Sequence, residues 1–319
     1  MIPCMNWLQA ALLGLLQGLT EFLPVSSTAH MDIASRLMLG HDVGSAFSAV
    51  VQLGPIAAII IYFWNDIVRY LRGIVRTRSP FNIPPNDTDA RLGWYVVFGT
   101  LPLAIFGLLL EKKIDTTFRR FDVVAVALIV LAVIMLAAEI VGKRKKDLEH
   151  LSFLDSQVIG WAQVLALVPG ASRSGTTITA GLFRDLDHES ATHFSFLLSI
   201  PAITAAGLYK LSKTALFVFK PSAFSPNEAH RLMPFHVGPP TFAELGMFLF
   251  AALVAGIFAY IVTKWFMGYM RFHNTFIFIA YRILLGVLIL ALLKAGVLHE
   301  HTPNHLAKVP NHVLLSKRE

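Results

Sequence analysis

Four stretches of this chain, residues 93–110, 123–138, 245–263 and 283–293, contain no charged side chain. A helix that faces water keeps a polar stripe along its outer side, and these have none. Segments of this kind belong in a hydrocarbon layer about 30 Å thick. Composition agrees: of 319 residues 55% are hydrophobic and only 15% charged, and the mean hydropathy of +0.62 exceeds what a soluble core requires.

Residues 8–16 resemble the apolar part of a secretory signal, but no Lys or Arg precedes Arg36 and equally apolar chain follows, so they are read as mature structure. The net charge of +7 does not imply nucleic acid. The basic residues fall between apolar stretches, most densely at residues 143–146, where anionic lipid headgroups are the expected counterions. Cys4 is the single cysteine, which excludes an internal disulfide.

Six stretches are long enough to cross a bilayer: residues 46–64, 93–110, 122–141, 191–209, 242–263 and 275–298. Two more, residues 7–39 and 157–183, are interrupted by the polar segments PVSSTAH and PGASRSGTT. Each reads as a re-entrant helical hairpin. Irregular backbone is tolerated at membrane depth only where protein or a watery cavity satisfies it, so the two breaks are expected to line a site.

The halves also match weakly at an offset of about 146 residues, with Gly14, Gln17, Ser26 and Pro55 opposite Gly160, Gln163, Ser172 and Pro201. Three complete spans between the hairpins invert the second half relative to the first, which places a site near the midplane. The expectation is an all-α integral membrane protein with about six transmembrane helices and two re-entrant hairpins in an inverted-topology repeat. It forms one polytopic domain over residues 1–319, with halves 5–141 and 156–298 and a polar tail, 299–319. Basic residues modestly favour a cytoplasmic position for the face bearing residues 65–92 and 142–156, since Lys112, Lys113, Arg119 and Arg120 weigh on the other side.

In the first break Gln17 and Glu21 share one helix face, and Ser26, Ser27, Thr28 and His30 follow beyond Pro24. A carboxylate in hydrocarbon stays ionised only beside a cation, either a metal or an arginine. His30 lies three residues past Ser27, close enough to exchange a proton with it in a helix or tight turn. The second break offers Arg173 among hydroxyls at a helix start, and its planar fork suits phosphate oxygens. Arg282, deep in the last apolar stretch, is expected to be a second phosphate clamp. Gln52 and Pro55 mark a polar kink that either faces the cavity or packs helices. His299, His301, His305 and His312 in the tail fit no metal-ligand spacing. A carboxylate, a hydroxyl beside a base and arginines are the parts phosphoryl transfer requires.

At these residues the chain resembles the undecaprenyl-diphosphate phosphatases of the bacitracin-resistance type, over roughly residues 5–295. Its most specific parts are QGLTEFLPVSSTAH (residues 17–30) and PGASRSGTT (169–177). The resemblance implies hydrolysis of undecaprenyl diphosphate to undecaprenyl phosphate and inorganic phosphate. That reaction recycles the lipid carrier of peptidoglycan synthesis in the bacterial inner membrane, at a site open to the periplasmic or extracytoplasmic side. A divalent metal, Mg²⁺ or Ca²⁺, is implied as cofactor. Carried over residue by residue, Glu21 is a metal or acid/base group, Ser27 the candidate nucleophile, His30 its partner and Arg173 the phosphate clamp. Gln17, Ser26, Thr28, Ser172, Ser174, Thr177 and Arg282 are expected around the substrate.

The main departure is Gln17, where many members have glutamate; an amide supplies no charge, so a metal rests on fewer carboxylates. Residues 220–240 and the tail look longer than usual for the family. A polyprenyl-phosphate flippase is the rival reading, because broken helices at a midplane are also transporter construction. Sequence leaves open whether Ser27 or His30 attacks, the metal, the prenyl length preferred, and whether two copies pair as a homodimer.

Overall fold

The computed structural model describes residues 5–41, 43–116, 120–223, 225 and 242–298. Cys4, Arg119, the tail histidines and most of the 220–240 stretch lie outside them. The described residues form eleven α-helices and no β-strand. They are α1 (Trp7–Thr20), α2 (Ser27–Leu39), α3 (Gly44–Tyr62), α4 (Trp64–Thr77), α5 (Thr88–Thr116) and α6 (Phe121–Val141). After these come α7 (Phe153–Val164), α8 (Arg173–Phe183), α9 (His188–Phe219), α10 (Phe242–Met270) and α11 (Phe276–Lys294).

Helices α5, α6, α9, α10 and α11 are long and apolar enough to cross a membrane; a sixth crossing follows if α3 and α4 count as one bent span. Leu108, Leu109, Leu253 and Leu284 stand exposed on these helices, a surface suited to acyl chains rather than water. The stretch 46–64 stops short of the sequence-based expectation. Its helix ends at Tyr62, and α4 departs at 75°.

The two expected breaks are present, and their local geometry is the same. Each begins with a capping box, Asn6 with Gln9 on α1 and Ser152 with Asp155 on α7, so the entering helix starts with its amides satisfied. The entering helices end before Pro24 and Pro169, which cannot donate to a continuing ladder. The chain then turns through a serine at positive φ, Ser26 (φ 71) and Ser172 (φ 65). In each case the serine Oγ caps the next helix, accepting from Ala29 N or Gly175 N.

The entering helix of each broken pair packs on a long helix from the other half of the chain. On one side α1 and α3 lie along α10, where a Cβ at Gly14 would strike the Ala251 carbonyl and one at Gly54 the Ala252 carbonyl. On the other, α7 crosses α5 so closely that Gly160 lies against the backbone of Gly99. Backbone contact of this kind is how helices bind where apolar burial supplies little driving force. Beneath the first break, Phe22 leads a run of aromatic contacts through Phe196 and Phe266 to Phe278.

Two buried carboxylates stitch the second half to the end of the first. Asp155 accepts from Lys146 Nζ (3.1 Å) and Arg184 Nε (2.6 Å), and Glu139 from Arg144 (2.9 Å), His188 (2.8 Å) and Thr275 (2.6 Å). This corrects, for Arg144 and Lys146, the reading of residues 143–146 as a headgroup cluster. Arg144 and Lys146 are engaged inside the protein, because carboxylates this deep require partners.

Candidate active site

The two breaks meet, and their meeting gathers most of the expected site. Ser174 Oγ of the second break donates to the Leu23 carbonyl of the first (3.0 Å). Both α2 and α8 therefore begin at one place, and their first-turn amides, which have no intrahelical acceptor, add positive potential there.

Glu21 is the hub. Its Oε2 accepts from Gln17 Nε2 (2.9 Å) and from the Ser27 hydroxyl (2.8 Å). Its Oε1 accepts from Arg173 (3.3 Å) and from Gln52 Nε2 (3.5 Å). Four donors around one carboxylate, one of them cationic, meet the electrostatic need of an ionised Glu21 in a low-dielectric setting. Gln52, left between two readings by the sequence, reaches the site.

Arg173 sits at the start of α8 with its guanidinium over the Phe22 ring, 6.0 Å from the centroid. One nitrogen faces Glu21; the other, Nη1, is buried without a partner. An arginine held in place with an unspent terminal nitrogen is prepared for an anion.

His30 is placed differently from expectation. Its Nδ1 lies 2.7 Å from the Ser26 carbonyl and its Nε2 2.6 Å from the Tyr281 hydroxyl, with the two rings stacked. The carbonyl only accepts, so Nδ1 carries the proton and, in the neutral ring, Tyr281 donates to Nε2. Glu21, not His30, is the hydrogen-bond partner of Ser27. A helix that starts at Ser27 directs His30 toward α11 while Ser27 faces back to the end of α1.

Arg282 also takes another position. It is fully enclosed, and its guanidinium donates to the carbonyls of Pro24 (3.5 Å), Gly170 (3.3 Å) and Ala171 (2.8 Å). It binds the backbone of both breaks, one carbonyl of the first and two of the second. Unsatisfied carbonyls at such depth are costly, which is why a cation is tolerated there. Thr177 likewise turns inward, to Ser195 (2.5 Å) and the Arg173 carbonyl (2.8 Å). Ser26 and Ser172 are spent as caps. Thr28 is half-buried, with no hydrogen bond to the described residues.

Tyr281 is the residue that sequence reasoning missed. It lies 251 positions from His30, so no local spacing could join them; its only signal was its place beside Arg282.

The family model described as bacitracin resistance protein BacA matches residues 10–288. The undecaprenyl-diphosphatase of Mycolicibacterium smegmatis is 42% identical over 295 residues, covering 92% of this chain and 99% of that protein. That of Renibacterium salmoninarum is 42% identical over 295 residues, with 92% and 98% covered. The undecaprenyl-diphosphatase of Chloroherpeton thalassium is 40% identical over 303 residues, again with 92% and 98% covered. The chain belongs to the BacA family of bacitracin resistance proteins.

Proposed function

We propose that this protein is an undecaprenyl-diphosphate phosphatase of the bacterial inner membrane, releasing inorganic phosphate and returning undecaprenyl phosphate to cell-wall synthesis. The observation that carries the reading is the Ser27–Glu21–Arg173 constellation: a hydroxyl already donating to a carboxylate, beside a guanidinium with a nitrogen unspent. A flippase needs the guanidinium but has no use for the hydroxyl–carboxylate pair.

Ser27 Oγ attacks the terminal phosphorus while its proton passes to Glu21 along the 2.8 Å hydrogen bond. The bond from that phosphorus to the bridging oxygen breaks, and undecaprenyl phosphate departs with the bridging oxygen. Water then attacks the phosphoserine, its oxygen ends on inorganic phosphate, and Ser27 regains a proton. Arg173 and the first-turn amides of α2 and α8 hold the equatorial oxygens as charge spreads over them.

Among the described residues no group of three or more His, Cys, Asp or Glu forms a closed metal cage. Gln17 and Gln52 turn their amide nitrogens toward Glu21, so a Mg²⁺ or Ca²⁺ ion would rest on the Glu21 carboxylate and on oxygens that the diphosphate itself supplies. Glu21 would hold the ion, which would neutralise phosphoryl charge. The matching breaks and the reciprocal packing of each on a helix of the other half support two re-entrant hairpins in an inverted repeat. The resemblance to the family, with the modest charge bias of the opposite face, supports a site open to the extracytoplasmic side.

The test is inorganic phosphate release from a C55 or C15 prenyl diphosphate by purified protein in detergent, with Mg²⁺, Ca²⁺ or EDTA, beside Arg173→Ala. Metal-dependent release lost in the variant supports the reading. No release by folded protein under any condition overturns it.

A further inference from the structure

Helix α4 does work that the site does not need. It follows directly on α3, whose end at Tyr62 lies about 15 Å along the helix from Gln52 at the rise of an α-helix, and it leaves α3 at 75°. A helix set at that angle to an apolar one runs close to the plane of the membrane surface.

Its surface divides into three sectors. One is packed against α5: Tyr70 and Gly73 are buried, Gly73 lies on the backbone of Ala90, and Thr77 Oγ1 accepts from Trp94 Nε1 (3.1 Å). The second is apolar and uncovered, with Trp64, Leu71 and Val75 more than half exposed and Phe81 in the following turn 92% exposed. The third, one helix quadrant further round, is basic and carries Arg69, Arg72 and Arg76, with Arg78 at the C-terminal cap. Arg69 pairs with Asp66 (3.0 Å) and Asp89 (3.6 Å), and Arg76 with Asp87. Arg72 and Arg78 have no protein partner among the described residues.

Water would satisfy the arginines and leave the apolar sector stranded; hydrocarbon would do the reverse. Only the boundary between acyl chains and anionic headgroups satisfies both. We propose that α4 and the turn behind it are an anionic-phospholipid dock, with Arg72 and Arg78 on the headgroup and Trp64, Leu71, Val75 and Phe81 among the acyl chains. Beside it an apolar cleft of ≈ 440 Å³, lined by Phe81, Ile83, Trp94, Tyr95 and Phe98 among others, receives part of one acyl chain.

The full chain with Cys4→Ser and Val75→Cys, carrying a fluorophore on the introduced thiol, is placed in phosphatidylcholine vesicles. A minor fraction of brominated phosphatidylglycerol, or the same fraction of brominated phosphatidylcholine, serves as quencher. Quenching by both is expected, with an excess for phosphatidylglycerol that corresponds to about fivefold enrichment per unpaired arginine. Adding Arg72→Gln and Arg78→Gln should remove that excess while phosphate release, which reports an intact fold, is kept. Lys143→Gln with Lys145→Gln should leave the excess in place. A label that neither lipid quenches, equal quenching by the two, or an excess that survives Arg72→Gln and Arg78→Gln would each overturn the proposal.

Discussion

The two breaks share a fold and divide the labour. Each has a capping box, a proline, a serine at positive φ and a helix starting at the site. The first, however, places a hydroxyl where the second places a guanidinium: Ser27 and Arg173 are the opening residues of α2 and α8. The same backbone device presents a hydroxyl from one side and, under the proposed mechanism, its countercharge from the other. Two breaks of the same local geometry thus differ at the residue that opens the helix.

That division is broken most directly at Ser27 and Glu21. Ser27→Ala and Glu21→Gln should each lower kcat for phosphate release by about 10³-fold or more, and the double variant should be little worse, since the two act as one unit. Near-normal turnover in Ser27→Ala would move the nucleophile out of the first break. On the other side, Arg173→Ala should cost about 10²- to 10³-fold, the usual effect of losing one donor to a developing oxyanion. Arg173→Lys should recover little, because a point charge does not reproduce the fork. Full recovery by lysine would reduce the second break to a source of charge.

How much of this was legible in sequence follows from the range of each interaction. The breaks were visible because Pro24, Ser26, Pro169 and Ser172 interrupt apolar chain, and interruptions at membrane depth need a reason. Glu21 and Arg173 were visible because isolated charges there need partners. The Ser27–Glu21 hydrogen bond was not, since it depends on the angle at which α2 leaves the turn. Arg282 shows the limit most clearly. Its position in the last span gives its depth, but only the fold reveals that it faces the carbonyls of Pro24, Gly170 and Ala171. The bend at Phe63 was hidden because α3 and α4 are contiguous in sequence, and the Arg144 and Lys146 pairings because they depend on the path the chain takes after α6.

The joint between the breaks is the next place to test the comparison. Ser174→Ala removes one of two donors to the Leu23 carbonyl, the other being Val25 N (2.8 Å), and should lower stability by about 0.5–1.5 kcal/mol. A thermal melt in detergent reads that loss, and phosphate release at low temperature reads whether the two helix starts still meet. Lost stability with retained turnover would show that Arg282 and the Glu21–Arg173 pair suffice to hold the breaks together.

The smallest expected effect concerns His30, which belongs to the first break but faces away from Glu21. If His30 were the base for Ser27, His30→Ala would cost as much as Ser27→Ala. The geometry assigns it instead to holding the first turn of α2 to α11 through Tyr281, and a loss of about tenfold follows, within the range of a misplaced catalytic group. Tyr281→Phe keeps the stacked ring and removes only the hydroxyl that donates to Nε2. Its cost should be about fivefold in kcat, equivalent to one hydrogen bond of about 1 kcal/mol. A pH profile of phosphate release separates the two roles. With His30 as a positioning residue, the Tyr281→Phe variant loses rate evenly across the range. A displaced acid limb would instead show that His30 moves protons, and that the first break carries two proton-transfer groups rather than one.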